Sequence, residues 1–211
     1  MKAALLLIVP ATVALIMLRV PVVRLLYQRG VFGAEGVELT AQALLFYAPQ
    51  LPFVALDQLL IAAFYALQNT RLPVLVGVVG AGLYAAVALG TVDLLGMSGL
   101  VLANTVQNSA HALILLVFLW RAMGGVGRLG IGGTVLRVAA AGALMAATLA
   151  VVAALAPEPA GAPGLVLYLV LAGGLSGLVY LGVLALLGSA ELSLTRDLVL
   201  ARLGRRRPVQ E

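Results

Sequence analysis

The sequence is dominated by a succession of apolar blocks, each about as long as a helix that crosses a lipid bilayer. Such a helix takes ~20 residues. Six segments reach this length, namely 3–26, 39–67, 72–95, 100–120, 134–155 and 163–187. Only 10% of all residues are charged, against about 25% in a soluble domain. We therefore expect the chain to fold in a bilayer rather than in water.

The six blocks also predict the secondary structure. No water is available at membrane depth, so the backbone must satisfy its own hydrogen bonds, which favours helices. The connections between the blocks are short and polar, so consecutive helices should be antiparallel neighbours. The sequence predicts an all-α polytopic membrane protein with a six-helix transmembrane region over 1–188 and a basic tail over 189–211.

Positive charge is distributed unevenly between the two sides of the predicted bundle. One side carries Lys2, Arg71, Arg121, Arg128, Arg137, Arg196, Arg202, Arg205, Arg206 and Arg207. The other side carries Glu35, Glu38, Asp93 and Glu158, with Arg19, Arg24 and Arg29 as its basic residues. The positive-inside rule predicts both termini in the cytoplasm. We interpret the net charge of +5 as topology information rather than as a nucleic-acid-binding surface.

Asp57 is an acidic residue near the middle of the second span, with Gln58 beside it. Charged side chains at this depth are costly, and they commonly mark a functional site. Pro49 and Pro52 precede Asp57 and should kink the helix. A kinked helix with a carboxylate would suit a water-lined transport path. Pairing of Asp57 and Gln58 with a neighbouring helix for packing alone is the alternative.

The fourth span carries a stripe of polar residues. Asn104, Gln107, Asn108 and His111 follow one another at spacings of three, one and three, which puts them on one helical face. Such a face should avoid lipid. It should either line a polar cavity or form hydrogen bonds between helices, and the sequence alone does not decide between the two. For His111 we expect a helix contact, with a proton relay as the alternative.

Three arginines lie near the outer end of the first span. Arg19, Arg24 and Arg29 are five residues apart, a spacing that distributes them around a helix. Arg24 and Arg29 could contact a phosphate group, because a guanidinium makes forked hydrogen bonds with phosphate oxygens. Snorkelling of their side chains to the membrane interface is the alternative.

The composition argues against catalysis in the membrane. The chain has no cysteine and a single histidine, so thiol chemistry and multi-histidine metal sites are excluded. Its acidic residues are scattered, and no pair of carboxylates shares a span. We therefore predict no catalytic residue, metal site or cofactor, and a protein that is not an enzyme.

Three motifs resemble those of the MurJ/MviN family of lipid II flippases. Residues 21–32 (PVVRLLYQRGVF) resemble the family pattern P-I-I-x-L-L-F-x-R-G-x-F, and residues 64–73 (FYALQNTRLP) resemble F-Y-A-L-x-D-T-x-T-P. Residues 99–105 (GLVLANT) are similar to G-L-A-L-A-T-S. The residues that match these patterns most specifically are Arg29, Gly30, Phe32, Phe64, Tyr65, Ala66, Thr70 and Pro73.

The resemblance implies the C-terminal part of a fourteen-helix flippase, with these spans corresponding to the last six. Such a protein moves undecaprenyl-pyrophosphate-linked peptidoglycan precursor across the bacterial cytoplasmic membrane by alternating access. Its partners would be that precursor, membrane lipids and an N-terminal lobe, or a partner subunit in place of the lobe. Asp57, Gln58, Asn104, Gln107, Asn108, His111, Arg24 and Arg29 are then the candidate residues of the substrate path.

Two other interpretations remain open at this point. The chain could belong to a related exporter of another polysaccharide-linked lipid. It could also be a half-size membrane scaffold that transports nothing and binds a partner through its helices.

Overall fold

The computed structural model describes residues 2–122 and 131–188, which are almost entirely helical. In chain order the helices of this part are α1 Lys2–Met17, α2 Arg19–Tyr27, α3 Ala34–Tyr47, α4 Leu51–Ala66, α5 Arg71–Leu95, α6 Met97–Ala122, α7 Ile131–Leu155 and α8 Ala162–Leu186. A short 3-10 turn, Ala48–Gln50, joins α3 to α4. The predicted tail at 189–211 and the connection at 123–130 lie outside the described residues.

The helices are long and apolar enough to cross a membrane. Five segments meet this criterion in the described part, and α1 with α2 makes a sixth if the two count as one bent span. The four last predicted spans agree with α5 to α8 within a few residues, whereas the second begins at Ala34 rather than at residue 39. Large apolar side chains, such as Leu136 and Leu178, are exposed on the outer surfaces. The protein is an all-α polytopic membrane protein, as predicted.

The segment predicted as the first span is not one continuous helix. α1 and α2 meet at Leu18 with an angle of 78° between them. Pro21 explains the break, because it has no N–H group and its ring clashes with the carbonyl of the residue four positions earlier. That residue is Met17, where α1 ends. The Arg19 guanidinium donates to the Ile16 carbonyl at 2.8 Å and so satisfies an acceptor in the last turn of α1.

A second proline in the same segment has a different effect. Pro10 lies inside α1 and leaves the Leu6 carbonyl without its usual helical donor, yet α1 continues to Met17. The Tyr180 hydroxyl of α8 donates to this carbonyl at 3.0 Å. Tyr180 is only 2% exposed, so the hydrogen bond is sealed from solvent. It connects the first and the last of the described helices.

The helices pack into two main groups. α1, α7 and α8 share one apolar core, and α4, α5 and α6 share another. α1 packs against both α7 and α4 and so joins the groups. The smaller helix pair of α2 and α3 closes over Val23, Val37 and Ala41. The polar residues of the second and fourth spans meet inside the group of α4, α5 and α6.

Candidate functional site: a polar seam and an arginine-lined cavity

The most prominent polar contact in the bundle joins α4, α6 and α5. Asp57 Oδ1 of α4 lies 2.7 Å from His111 Nδ1 of α6. The other ring nitrogen of His111, Nε2, lies 3.2 Å from the backbone oxygen of Pro73 in α5. The Asp57 and His111 side chains are only 16% and 14% exposed. The two nitrogens of one imidazole ring therefore contact α4 and α5 from α6.

A second set of hydrogen bonds continues along the same face of α6. Asn108 Nδ2 donates to Gln50 Oε1 at 2.6 Å and to Asn104 Oδ1 at 3.1 Å. Next to Asn104 on α6, the Thr105 hydroxyl donates to the Phe46 carbonyl of α3 at 2.6 Å. Gln50 is 1% exposed, and within the described residues its Nε2 has no hydrogen-bond partner. We call the set Gln50, Asp57, Asn104, Thr105, Asn108 and His111 the polar seam.

Two of the path residues predicted on the second and fourth spans, Gln58 and Gln107, lie outside the polar seam. Gln58 follows Asp57 but is exposed, and no hydrogen bond joins it to the described part of the chain. Gln107 turns toward α5, where its Cγ lies 3.4 Å from the position of a Cβ at Gly80. The absence of a side chain at Gly80 therefore makes room for Gln107. The stripe on α6 thus divides between contacts with α4, with the 3-10 turn and with α5.

An arginine-lined cavity of about 620 Å³ lies between α2 and α3. Arg19, Arg24 and Gln28 contribute to it from the α2 side, and Glu38 and Gln42 contribute from α3. Arg19 and Arg24 both reach it although their spacing puts them on different sides of a helix. Two guanidinium groups and one carboxylate give the cavity lining a net positive charge, which suits an anionic ligand.

Arg24 also contacts the connection between α7 and α8. Its Nη1 lies 3.1 Å from Glu158 Oε2, and its Nε donates to Gln28 Oε1 at 3.3 Å. Next to this ion pair is a smaller cavity of about 240 Å³, which Arg24 and Arg29 line together with Ala162 and Leu165 of α8. Arg29 itself is exposed. The two arginines singled out in the sequence therefore meet at one cavity, beside the start of α8.

The motif around Arg29 and Gly30 forms a turn between α2 and α3. Gly30 has a φ of +57°, a left-handed conformation that glycine adopts without steric penalty. The Phe32 ring then folds back, with its centroid 6.1 Å from that of Tyr27, and packs against the core between α2 and α3. These two motif residues shape the backbone, whereas Arg29 projects a charge from the turn.

The motif over 64–73 forms the turn between α4 and α5. Gln68 has a φ of +58°, and the Asn69 side-chain oxygen accepts from the Leu72 N–H at 3.2 Å. Phe64 is buried in the core of this helix group. Pro73 falls in the first turn of α5, where a missing N–H group is tolerated. Tyr65 and Thr70 line a shallow cavity, and Ala66 ends α4.

Sequence reasoning missed Gln50, Glu158 and Gln28 as partners in these sites. A signal for Gln50 was present, because an amide between Pro49 and Pro52 in an apolar span needs a hydrogen-bond partner. Glu158 gave no local signal for a contact with Arg24, which is 134 residues away. In the described residues no group of three or more His, Asp or Glu side chains could hold a metal ion.

Comparisons with known proteins agree on one family. The family model described as "Lipid II flippase MurJ" matches residues 1–187. The chain is 33% identical over 113 residues to the probable lipid II flippase MurJ of Rhizobium meliloti, and 28% identical over 107 residues to that of Bdellovibrio bacteriovorus. These matches cover 53% and 51% of this chain, but only 21% and 20% of the relatives.

A solved structure gives the same result for the fold. The structure titled "Lipid II flippase MurJ, inward closed conformation" superimposes with a TM-score of 0.64 at 21% sequence identity. The superposition covers 94% of this chain and 38% of that one. The chain therefore has the fold of part of a much longer protein.

Proposed function

This chain belongs to the MurJ family of lipid II flippases, because the family model matches it over residues 1–187, and we propose that it is the C-terminal part of such a flippase. It would help to move undecaprenyl-pyrophosphate-linked peptidoglycan precursor from the inner to the outer leaflet of the bacterial cytoplasmic membrane. The observation that carries this proposal is the length of the family match combined with the small share of the relatives that the chain spans.

The proposed transport needs no covalent chemistry. The polar headgroup would cross in a hydrated space between this lobe and an N-terminal lobe, which faces alternately to the two sides of the membrane. Both termini of the chain would lie in the cytoplasm, as the positive charges suggest. The basic residues of 189–211 would then face anionic lipid headgroups.

Within this lobe, the arginine-lined cavity is the proposed contact for the pyrophosphate. Arg19 and Arg24 line it, and Arg24 together with Arg29 lines the smaller cavity beside α8. Guanidinium groups bind phosphate oxygens in a forked geometry. In this proposal the Arg24–Glu158 ion pair holds Arg24 in position until the phosphate competes for it.

The polar seam would border the substrate path rather than cross it. In support, Asp57, Asn104, Asn108 and His111 are already engaged in hydrogen bonds between or within helices. Gln58 is exposed and would face the hydrated space in at least one conformation. The chain contains no cysteine, so an introduced cysteine is its single reactive thiol. Gln58→Cys should react with a membrane-impermeant thiol reagent, whereas Leu59→Cys at the adjacent exposed position should be protected by lipid. Equal protection of both cysteines would contradict this part of the proposal.

The function itself can be tested by complementation. A bacterium depleted of its own flippase would express this chain alone, or together with the N-terminal eight helices of a relative. We expect outward-facing precursor and growth to return only with both parts present. Failure to rescue, with both parts stable in the membrane, would contradict the proposal.

The role of Arg24 can be separated from that of its ion pair. Arg24→Gln and Glu158→Gln both break the contact, but only the first removes the positive charge from the cavity. A hydrogen bond to a charged group contributes about 1.5–3 kcal/mol. If Arg24 contacts phosphate, Arg24→Gln should therefore lower precursor export by about tenfold or more, while Glu158→Gln retains most of it. Equal losses in both variants would indicate a structural ion pair.

A further inference from the structure

The contacts of His111 determine how many protons its site must hold. Its Nε2 faces the backbone oxygen of Pro73 at 3.2 Å, and a carbonyl oxygen can only accept a hydrogen bond. Its Nδ1 faces Asp57 Oδ1 at 2.7 Å, and an ionised carboxylate also only accepts. Two acceptors therefore face the two ring nitrogens.

A neutral imidazole cannot satisfy both acceptors. It carries one N–H group, so a ring that donates to Pro73 presents a lone pair at Nδ1 to the carboxylate. In that tautomer, the 2.7 Å contact between Nδ1 and Asp57 becomes a hydrogen bond only with a second proton. That proton lies either on Nδ1, giving an imidazolium beside a carboxylate, or on Asp57, giving a carboxylic acid that donates to Nδ1. We propose that Asp57 and His111 form a proton-binding site that links α6 to α4 and α5.

Loss of this proton would break one of the two links. A neutral ring with its hydrogen on Nε2 keeps the contact with Pro73 of α5 and loses the hydrogen bond to Asp57 of α4. A ring with its hydrogen on Nδ1 does the reverse. The two side chains are only 14% and 16% exposed, so little water can reach them to replace the lost partner. The deprotonated pair also carries a net negative charge at membrane depth, which is unfavourable.

The helices packed against α4 and α6 carry their charged side chains near the helix ends. On the helices packed against α4 and α6, the charged side chains are Lys2 at the first residue of α1, Glu35 and Glu38 of α3, and Arg71 and Asp93 of α5. Arg121 lies in the last turn of α6 itself. The tyrosines on α3 to α5 are Tyr47, Tyr65 and Tyr84. Glu35, Glu38, Arg71, Asp93, Arg121 and the three tyrosines form no ion pair or hydrogen bond with Asp57 or His111 within the described residues. The nearby polar groups are the uncharged Gln107 and Asn108.

The single histidine of the chain allows a direct measurement. The full chain, labelled with 15N in the histidine ring and reconstituted in lipid nanodiscs, would be measured by NMR at about pH 7.5, roughly one unit above the midpoint of an unperturbed histidine. Infrared spectroscopy would report a protonated Asp57 as a carboxylic acid band that disappears in Asp57→Asn. We expect either two protonated ring nitrogens, or one protonated nitrogen together with that band. Asp93→Asn, the same change at an exposed position, should behave as wild type.

A neutral ring beside an ionised Asp57 under these conditions would overturn the proposal.

A second measurement tests the link to helix packing in the wild-type background at positions 57 and 111. Spin labels would be attached to cysteines at the exposed positions 113 on α6 and 59 on α4, or 113 and 78 on α5. As the pH is raised and the proton is lost, one of the two distances should change. If neither distance changes when the proton leaves, the site does not control these contacts.

Discussion

Removal of one hydroxyl group, in Tyr180→Phe, should measurably loosen the contact between α8 and α1. The Tyr180 hydroxyl is buried and donates to the Leu6 carbonyl at 3.0 Å. Hydrogen bonds between membrane helices contribute about 0.6 kcal/mol on average and up to about 1.7 kcal/mol. Here the acceptor has also lost its helical donor to Pro10. We therefore expect a loss near the upper end, about 1–2 kcal/mol of the free energy of unfolding.

A second variant tests whether the proline is the reason. Pro10→Ala restores an N–H group four residues after Leu6, so that the carbonyl regains its helical partner. In that background, Tyr180→Phe should lower the free energy of unfolding by only about 0.5 kcal/mol or less. The difference between the two backgrounds, a coupling of about 1 kcal/mol, is the quantity that the reasoning predicts.

The assay is equilibrium unfolding of the purified chain in mixed micelles with increasing denaturing detergent. Tyr168→Phe is the matched control, because Tyr168 lies on the same helix and its hydroxyl makes no hydrogen bond within the described residues. That variant should change the free energy of unfolding by at most about 0.5 kcal/mol. An equal effect of Tyr180→Phe with and without Pro10 would refute the explanation.

Two further variants can be measured in the same assay. Gly99→Ala would bring a Cβ within 2.7 Å of the Thr91 backbone oxygen and should destabilise the chain by about 1–3 kcal/mol. Gly82 has open space around it, so Gly82→Ala is the control and should be neutral or slightly stabilising. If both variants change the free energy of unfolding equally, small shifts of the backbone relieve the clash at Gly99. Asn108→Leu removes the hydrogen bond to the buried Gln50 amide and should lower the free energy of unfolding by about 1–3 kcal/mol. A neutral result would mean that Gln50 finds another partner.

The length of the apolar blocks predicts most of the fold, but the two prolines of the first block show the limit of this argument. Both remove a backbone donor. Pro21 ends α1 at Met17, whereas Pro10 is accommodated. For Pro10, the missing donor to the Leu6 carbonyl is replaced by Tyr180, which lies 174 residues away. No pattern within the first block contains that information.

The sequence predicted the polar seam only in part, because its spacing identifies a shared face but not the helix that this face contacts. Spacing along the fourth span identifies Asn104, Asn108 and His111 as sharing a face. It does not say which helix they meet, so neither the contact of His111 with Asp57 nor that of Asn108 with Gln50 follows from it. Gln58 illustrates the same limit, because it is adjacent to Asp57 in sequence but points away from the seam.

The hydrogen bond between Tyr180 and Leu6 has a consequence for biosynthesis. The ribosome adds about 5–20 residues each second, so the 174 residues that separate donor and acceptor take roughly 9–35 s to make. If α1 enters the membrane as it is made, its Leu6 carbonyl is without its final donor during that interval. Until α8 is inserted, other contacts or the insertion machinery must stabilise α1 in place of this hydrogen bond.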